Sequence, residues 1–171
     1  AHKYNGNGDP LWPTEVKVNG DVGAATQAEP KLGLGAGENL MVVWQDQRNG
    51  HADIYAQKLS PAGARLWASD QRLNTDGGTF EQTTPSFSLA ADGATFAAVW
   101  EDQRNGDLDV YAQRYDGSGA PQWAADLRVN SDTGAATQAE PVVAFLPDGN
   151  LVVVWEDNRN GANDIYLQRL S

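Results

Sequence analysis

The heptapeptide WQDQRNG at residues 44–50 recurs as WEDQRNG at 100–106 and as WEDNRNG at 155–161. Successive Trp residues in these copies are 56 and 55 positions apart. The sequence between them recurs as well, since VNGDVGAATQAEP at 18–30 returns as VNSDTGAATQAEP at 129–141. A period of this length predicts one supersecondary unit used three times, in which no unit buries its apolar face alone.

Each unit is predicted to contain four β-strands. In the last unit, residues 142–146 and 151–155 are apolar runs separated by a turn, and residues 164–170 alternate between apolar and polar. A short continuous apolar run is typical of a strand buried on both faces, whereas alternation is typical of a strand with one wetter face. In the complete units a Gly-rich turn follows, and residues 67–74 or 123–130 form the fourth strand. No segment has the 3.6-residue period of a helix.

Four-stranded units in a radial array describe a β-propeller. The sequence also resembles the W-x-D-x-R-x-G-x-x-D-I-Y blades of secreted and surface-associated bacterial propeller repeat proteins, over nearly the whole chain. The predicted fold is therefore all-β: a β-propeller with three four-stranded blades in one domain of residues 1–171, with repeats at about 5–59, 60–115 and 116–170. A β-trefoil, which also has three repeats of four strands, is the alternative, although its units are usually shorter.

The number of blades predicts an oligomer. Propellers have about 4–8 blades, so three are too few and six is the one multiple of three in that range. The segment at about 11–19 reads as a fourth strand without a blade, while the unit from 141 to 171 lacks a fourth strand. We therefore expect a homodimer that forms a six-bladed ring, with each swapped N-terminal strand completing the partner's last blade and covering its edge. A piece of a longer array is the alternative.

Composition restricts the partners. The 171 residues carry a net charge of −11, which argues against nucleic acid and anionic membranes as partners. Cysteine is absent, which excludes disulfides and thiolate metal sites. No apolar run is long enough for membrane insertion. The N-terminal residues AHKYNGNGDP do not read as a signal peptide, and the resemblance implies an extracellular or cell-surface location.

The polar loop after each WxD motif contains one Arg between Asp residues. It faintly resembles the calcium loops of integrin-type propeller repeats, but an Arg stands near the position of a metal ligand and the spacing is one residue short. Because a guanidinium can bridge two carboxylates, each Arg is predicted to replace the cation and rigidify its hairpin. We expect no metal and no cofactor, with a calcium site of the hard-oxygen type as the alternative. The predicted ion-pair residues are Asp46, Arg48, Asp53, Asp102, Arg104, Asp109, Asp157, Arg159 and Asp164.

Two sets of Trp residues recur. Trp44, Trp100 and Trp155 end the apolar middle strand and are predicted to lie in the core. The other set, Trp12, Trp67 and Trp123, opens the fourth strand. An exposed ring there could stack on a sugar, so these three are the candidate carbohydrate-binding residues; packing between blades is the alternative.

No catalytic residue is predicted. No Ser/His/Asp set can be assembled, and the adjacent Glu101 and Asp102 should point to opposite faces of one strand. An enzyme usually breaks its repeat symmetry at one site, whereas these units differ in scattered, conservative ways. The predicted function is a non-enzymatic binding or scaffold module, a duplicated or engineered half-propeller, whose partners are a second copy and glycans or a protein surface. The alternatives are a multivalent carbohydrate-binding lectin and a propeller glycosidase or lyase fragment.

Overall fold

The computed structural model describes residues 1–171 as three antiparallel sheets joined by loops. The first contains β1 (Gln27–Leu34), β2 (Leu40–Asp46), β3 (Asp53–Leu59) and β4 (Gln71–Arg72). The second contains β5 (Gln82–Leu89), β6 (Phe96–Asp102), β7 (Asp109–Tyr115) and β8 (Leu127–Arg128). The third contains β9 (Gln138–Phe145), β10 (Leu151–Asp157) and β11 (Asp164–Leu170). A single 3-10 turn, Ala36–Glu38, lies between β1 and β2, and no helix is long and apolar enough to cross a bilayer.

Consecutive strands are neighbours in every sheet, as a meander requires. The hairpin that follows the WxD motif has the same register in each copy, with Asp46 opposite Asp53 in the first sheet. Gly50 at the tip of that hairpin has a φ of 90°, a conformation that costs glycine little and other residues much. The predicted all-β fold is confirmed, and the trefoil alternative is not adopted.

The sheets are arranged as the blades of a propeller. The first strand of each sheet contacts the first strand of the next, and β5 and β9 also lie against the two middle strands of the preceding sheet. These first strands, β1, β5 and β9, are therefore the inner strands. The outer strands β4 and β8 make no comparable contact with a neighbouring sheet.

The hydrophobic core lies between the sheets. Each sheet has a leading face, toward the next sheet in the chain, and a trailing face, toward the previous one. Met41 and Ile54 on the leading face of the first sheet pack against Phe96 and Trp100 on the trailing face of the second. The leading face of the second sheet packs in the same way against the third. This arrangement explains the apolar runs, since all seven residues of β6 are buried between two neighbouring sheets.

The outer strands are shorter than predicted. The expected strand over 67–74 is reduced to Gln71–Arg72, because side chains occupy the backbone groups that precede it. Gln57 accepts a hydrogen bond from the N–H of Trp67 at 3.1 Å and donates one to its carbonyl at 3.3 Å. Trp67 is thereby held out of the ladder.

The third sheet has three strands and no outer strand. Residues 1–19 lie instead beside the first sheet, where Tyr4 bridges Pro10 and Val18 packs against Trp44. The predicted fourth strand over 11–19 does not form a strand in this structure.

Candidate functional site

The inner strands share one backbone distortion. Glu29, Thr84 and Glu140 have φ angles of 50°, 50° and 51°, and the pairing with the middle strand slips at each of them. A β-bulge of this kind re-aims a side chain and is common next to active sites. A positive φ at a residue other than glycine costs on the order of 1–3 kcal/mol and persists only where the surroundings enforce it. The repeated strain marks the bulges as the candidate site.

Two of the three bulges carry a carboxylate. Glu29 and Glu140 are exposed, whereas Thr84 is half-buried. A carboxylate oxygen of Glu29 lies 3.5 Å from the ammonium of Lys31. The three repeats are therefore unequal at the bulge of the inner strand, where the middle copy has a neutral side chain.

Glu101 supports the bulge of the third sheet. It is 7% exposed on the leading face of the second sheet. One of its oxygens accepts the backbone N–H of Glu140 at 2.9 Å, and the other accepts the hydroxyl of Thr83 at 3.1 Å. Glu101 thus connects two inner strands and fixes the backbone that presents Glu140.

A network of buried side-chain amides supports the inner strand next to the third bulge. The side-chain NH₂ of Asn130 donates to Asp109 at 2.8 Å and to Gln138 at 2.9 Å, and its oxygen accepts the N–H of Val110 at 2.9 Å. Gln138, two residues before the third bulge, is completely buried. Because each of these polar groups has a partner, the network holds the inner strand rigidly instead of presenting these amides to solvent.

The hairpin arginines bind a different second carboxylate from the predicted one. Arg48 lies 2.6 Å from Asp46 and 2.9 Å from Asp70, and Asp53 is not among its partners. Asp53 instead accepts a hydrogen bond from Asn49 at 2.6 Å. The predicted bridge to Asp53 is therefore wrong, because Asp70 returns on the outer side of the sheet, a placement that the local spacing does not reveal.

In the second sheet, too, the Arg binds a carboxylate of the outer segment in place of the predicted Asp. In the third sheet Arg159 has no second carboxylate. Arg104 lies 2.5 Å from Asp102 and 3.0 Å from Asp126, and Asp109 is bound by Asn105 at 2.6 Å. In the third sheet the one carboxylate that binds Arg159 is Asp157, at 2.5 Å.

Asp164 is exposed and accepts a hydrogen bond from Asn160 at 3.2 Å. The second carboxylate in each complete pair comes from the outer segment, which the third sheet lacks.

These pairs govern the local electrostatics. Burial opposes ionisation of Asp46, but hydrogen bonds from Arg48 and Trp44 outweigh it and hold the pKa of Asp46 below its ordinary value. The pKa of Asp157 is lowered in the same way, against burial, by Arg159. The pKa of Arg48 is raised, mainly by its hydrogen bond to Asp46. All these groups are charged at neutral pH, so none is suited to exchange protons in a reaction.

No group of three or more His, Asp or Glu side chains in the structure could hold a metal ion. The expected independence from calcium stays a prediction. In each of the first two sheets a guanidinium lies between two carboxylates, Arg48 between Asp46 and Asp70, and Arg104 between Asp102 and Asp126.

The candidate carbohydrate-binding tryptophans lie in packed positions. Trp12 is 6% exposed, and its indole N–H donates to the carbonyl of Pro61 at 2.9 Å. The ring of Trp67 lies 6.3 Å from that of Phe96, and Trp123 packs against the core between the second and third sheets. Sugar binding by these three rings stays a prediction. The core positions of Trp44, Trp100 and Trp155 are confirmed, at 3%, 0% and 4% exposure.

Sequence reasoning missed Glu29 and Glu140. Their loops recur in the sequence, and the middle copy, LNTDGGTFEQTTP at 73–85, has Thr84 where the other two have Glu. A Glu-Pro pair inside a predicted strand could have indicated the bulge. Pro cannot donate a backbone hydrogen bond to the neighbouring strand, and it restricts the backbone conformation of the residue before it. The structure places an exposed carboxylate at the bulge of the first and of the third inner strand, with the inner strand of the second sheet between them.

The fold is similar to that of two solved glycoside hydrolases. An endo-arabinase from Bacteroides thetaiotaomicron matches 95% of this chain with a TM-score of 0.55 at 13% sequence identity. A thermostable family-43 glycoside hydrolase matches 85% of this chain with a TM-score of 0.54 at 13% identity. This chain spans 61% and 55% of the lengths of those two chains. No family model and no curated protein matches the sequence.

These likenesses support the propeller-like fold and correct the functional prediction. The prediction of a non-enzymatic binding or scaffold module, and with it the prediction that the chain is no enzyme, is contradicted by these two likenesses, since an endo-arabinase and a family-43 glycoside hydrolase share the fold. The three units also differ at the inner bulges, where the first and third copies have Glu29 and Glu140 and the middle copy has Thr84.

Proposed function

We propose that this chain provides half of a six-bladed propeller that hydrolyses glycosidic bonds of a polysaccharide, with arabinan as the first substrate to test. The observation that carries the proposal is the pair of exposed carboxylates, Glu29 and Glu140, at strained bulges of the inner strands. The fold shared with an endo-arabinase and a family-43 glycoside hydrolase supports the substrate class.

Glycoside hydrolysis commonly requires two carboxyl groups on opposite sides of the scissile bond. One protonates the leaving oxygen, and the other either activates a water molecule or attacks the sugar. The separation of the two groups is about 5–5.5 Å in retaining enzymes and about 6.5–9.5 Å in inverting ones. Within one chain the second sheet, with Thr84 at its bulge, separates Glu29 from Glu140.

A six-bladed ring of two copies would bring the carboxylates into neighbouring blades. The third sheet of one copy would adjoin the first sheet of the other, so Glu140 would lie beside Glu29 of the second copy. The ring would then contain two such pairs, related by the twofold axis. On this proposal the site is incomplete in a single chain, and activity depends on dimerisation.

A polymer substrate also supports an extracellular location. Polysaccharides of this kind do not enter cells intact, so the enzyme would meet its substrate outside the membrane. The acidic surface, with a net charge of −11, is compatible with a neutral glycan and unfavourable for an anionic one. Neutral arabinan therefore ranks before a uronic-acid polymer as substrate.

The test is release of reducing sugar from arabinan by the purified chain, with Glu140→Gln and Glu29→Gln as variants. Each variant should lower kcat by about 10²–10⁴-fold, the range for loss of a general acid or base. Glu38→Gln is the matched control, because Glu38 is also an exposed Glu with a positive φ, 59°, but lies in the β1–β2 connection. Absence of hydrolysis on a panel of neutral polysaccharides by the dimeric protein, or equal activity in all three variants, would overturn the proposal.

A further inference from the structure

The leading face of the third sheet is apolar and uncovered. Ile165 and Leu167 are 75% and 62% exposed. Their counterparts in the second sheet, Val110 and Ala112, are completely buried against the third sheet. This face therefore has the composition of an interface between blades without the neighbouring blade.

The trailing face of the first sheet is its complement. Leu32 and Leu34 on β1 are 66% and 67% exposed and pair with β2 residues on that same face. Val18 already packs on this face against Trp44. Leu73, which stands at the matching position one repeat later, packs in the core between the first and second sheets. Residues 11–19 thus occupy the outer position of a blade that would precede the first sheet.

We propose that the third sheet of a second copy docks in this position, between residues 11–19 and the first sheet, and that residues 1–4 hold its place until it does. The proposal deepens the proposed function, since it rests on the same six-bladed ring and names the surfaces that close it. The occupant is a second copy because the chain makes this interface twice internally, between the first and second sheets and between the second and third.

Residues 1–4 imitate the end of a third strand. The N–H of Leu11 donates to the carbonyl of Lys3 at 2.8 Å, as that of Gln122 donates to Arg114 at 2.7 Å in the second sheet. Tyr4 bridges Pro10 as Tyr115 bridges Pro121.

A side chain of this segment also makes the contact that its counterpart makes at the end of the third strand in the second sheet. A ring nitrogen of His2 lies 3.0 Å from the carbonyl of Trp12, the place where Gln113 donates to the carbonyl of Trp123 at 3.3 Å. By the repeat, Gln168 and Arg169 of a second copy are the residues that fit these contacts. Residues 1–4 and the end of β11 therefore compete for one site, so closure requires the first to leave.

The charges on the two surfaces are also complementary. Arg48 and Arg104 each bind a second carboxylate from the outer segment, Asp70 or Asp126, whereas Arg159 binds Asp157 alone. Glu15 stands at the position of Asp70 one repeat earlier, and its side chain is 83% exposed. Docking would bring Arg159 of one copy to Glu15 of the other.

The test measures mass by light scattering during gel filtration over a range of protein concentrations. The unmodified chain should reach twice the chain mass of 18.4 kDa. Leu167→Asp should remain at the chain mass with an unchanged circular dichroism spectrum. Leu66→Asp is the matched control and should still dimerise, because Leu66 is 47% exposed in the connection between β3 and β4 and is not one of the residues of the two docking faces.

A third variant, lacking residues 1–4, tests the competition. It should dimerise with a Kd lowered by about tenfold or more, because the docking position is no longer occupied in the free chain. A monomer at every concentration, or a dimer that survives Leu167→Asp, overturns the docking surface. An unchanged Kd in the shortened chain overturns the placeholder role. A dimer without hydrolysis would refute the proposed function and leave this interface standing.

Discussion

The buried arginine pairs allow a prediction in which the protein is its own control. Arg104 and Arg159 occupy the same position in two copies of one hairpin, and each guanidinium lies 4.2 Å from the ring centre of the Tyr below it. They differ in their carboxylates, since Arg104 also binds Asp126, which is buried. Arg104→Met and Arg159→Met should therefore differ in cost, although the substitution and the local motif are the same.

The magnitudes follow from what each variant leaves behind. Arg104→Met removes the cation from two fully buried carboxylates, which should cost about 3–5 kcal/mol, as for breaking a buried ion pair. Arg159→Met affects Asp157 alone, which keeps hydrogen bonds from the indole of Trp155 at 3.0 Å and from the backbone N–H of residue 159 at 3.0 Å. Its cost should be about 1.5–3 kcal/mol, the range for a charged hydrogen bond.

Urea unfolding at pH 7 measures both costs, at a protein concentration low enough that no second copy covers the third sheet. The two variants should share the m-value of the unmodified chain, since the surface exposed on unfolding is unchanged. In a domain of this size each kcal/mol lowers Tm by about 2–4 °C, so thermal unfolding provides an independent check. Equal costs for the two variants, or a cost of Arg104→Met below about 1 kcal/mol, would refute the reasoning.

Two further predictions concern packing and pH. Trp67→Ala should cost about 3–5 kcal/mol in urea unfolding, because the ring packs against Phe96 in the core between the sheets; loss of glycan binding with stability intact would contradict this. Stability should also fall in acid. The pKa of Asp46 is lowered in the folded state, where hydrogen bonds from Arg48 and Trp44 outweigh the effect of burial, so its contribution is complete above the unfolded pKa of about 3.9 and is lost as pH falls through the folded pKa. Unfolding free energies that stay constant from pH 5 down to pH 2 would contradict it.

The repeat made much of the fold predictable. The three copies of WxDxRNG and the apolar runs before them fix the number of sheets, the hairpin register and the core side of each middle strand, because strand periodicity and turn chemistry are local properties. Burial of Trp100 between two sheets follows from the same run. Alignment of the copies also shows that residues 11–19 correspond to the segment that contains β4 in the first unit, although they form no strand in the structure.

Long-range partners could not be read from the same pattern. The chain places Asp70 beside Arg48 across 22 residues, and the local loop offered Asp53 instead. The length of the outer strand was overestimated because Gln57 captures the backbone of Trp67, a contact between strands that no single-strand propensity encodes.

The candidate site depended most on tertiary structure. Composition and spacing alone determined a repetitive, acidic, cysteine-free all-β chain. Glu29 and Glu140 are in the candidate site because the bulge gives them a positive φ on the inner strand, and Glu101 of the preceding sheet fixes the bulge at Glu140. A sequence specifies which residues can ionise. Which of them are strained and exposed depends on how the sheets pack, since a positive φ at Glu or Thr persists only where the surrounding structure enforces it.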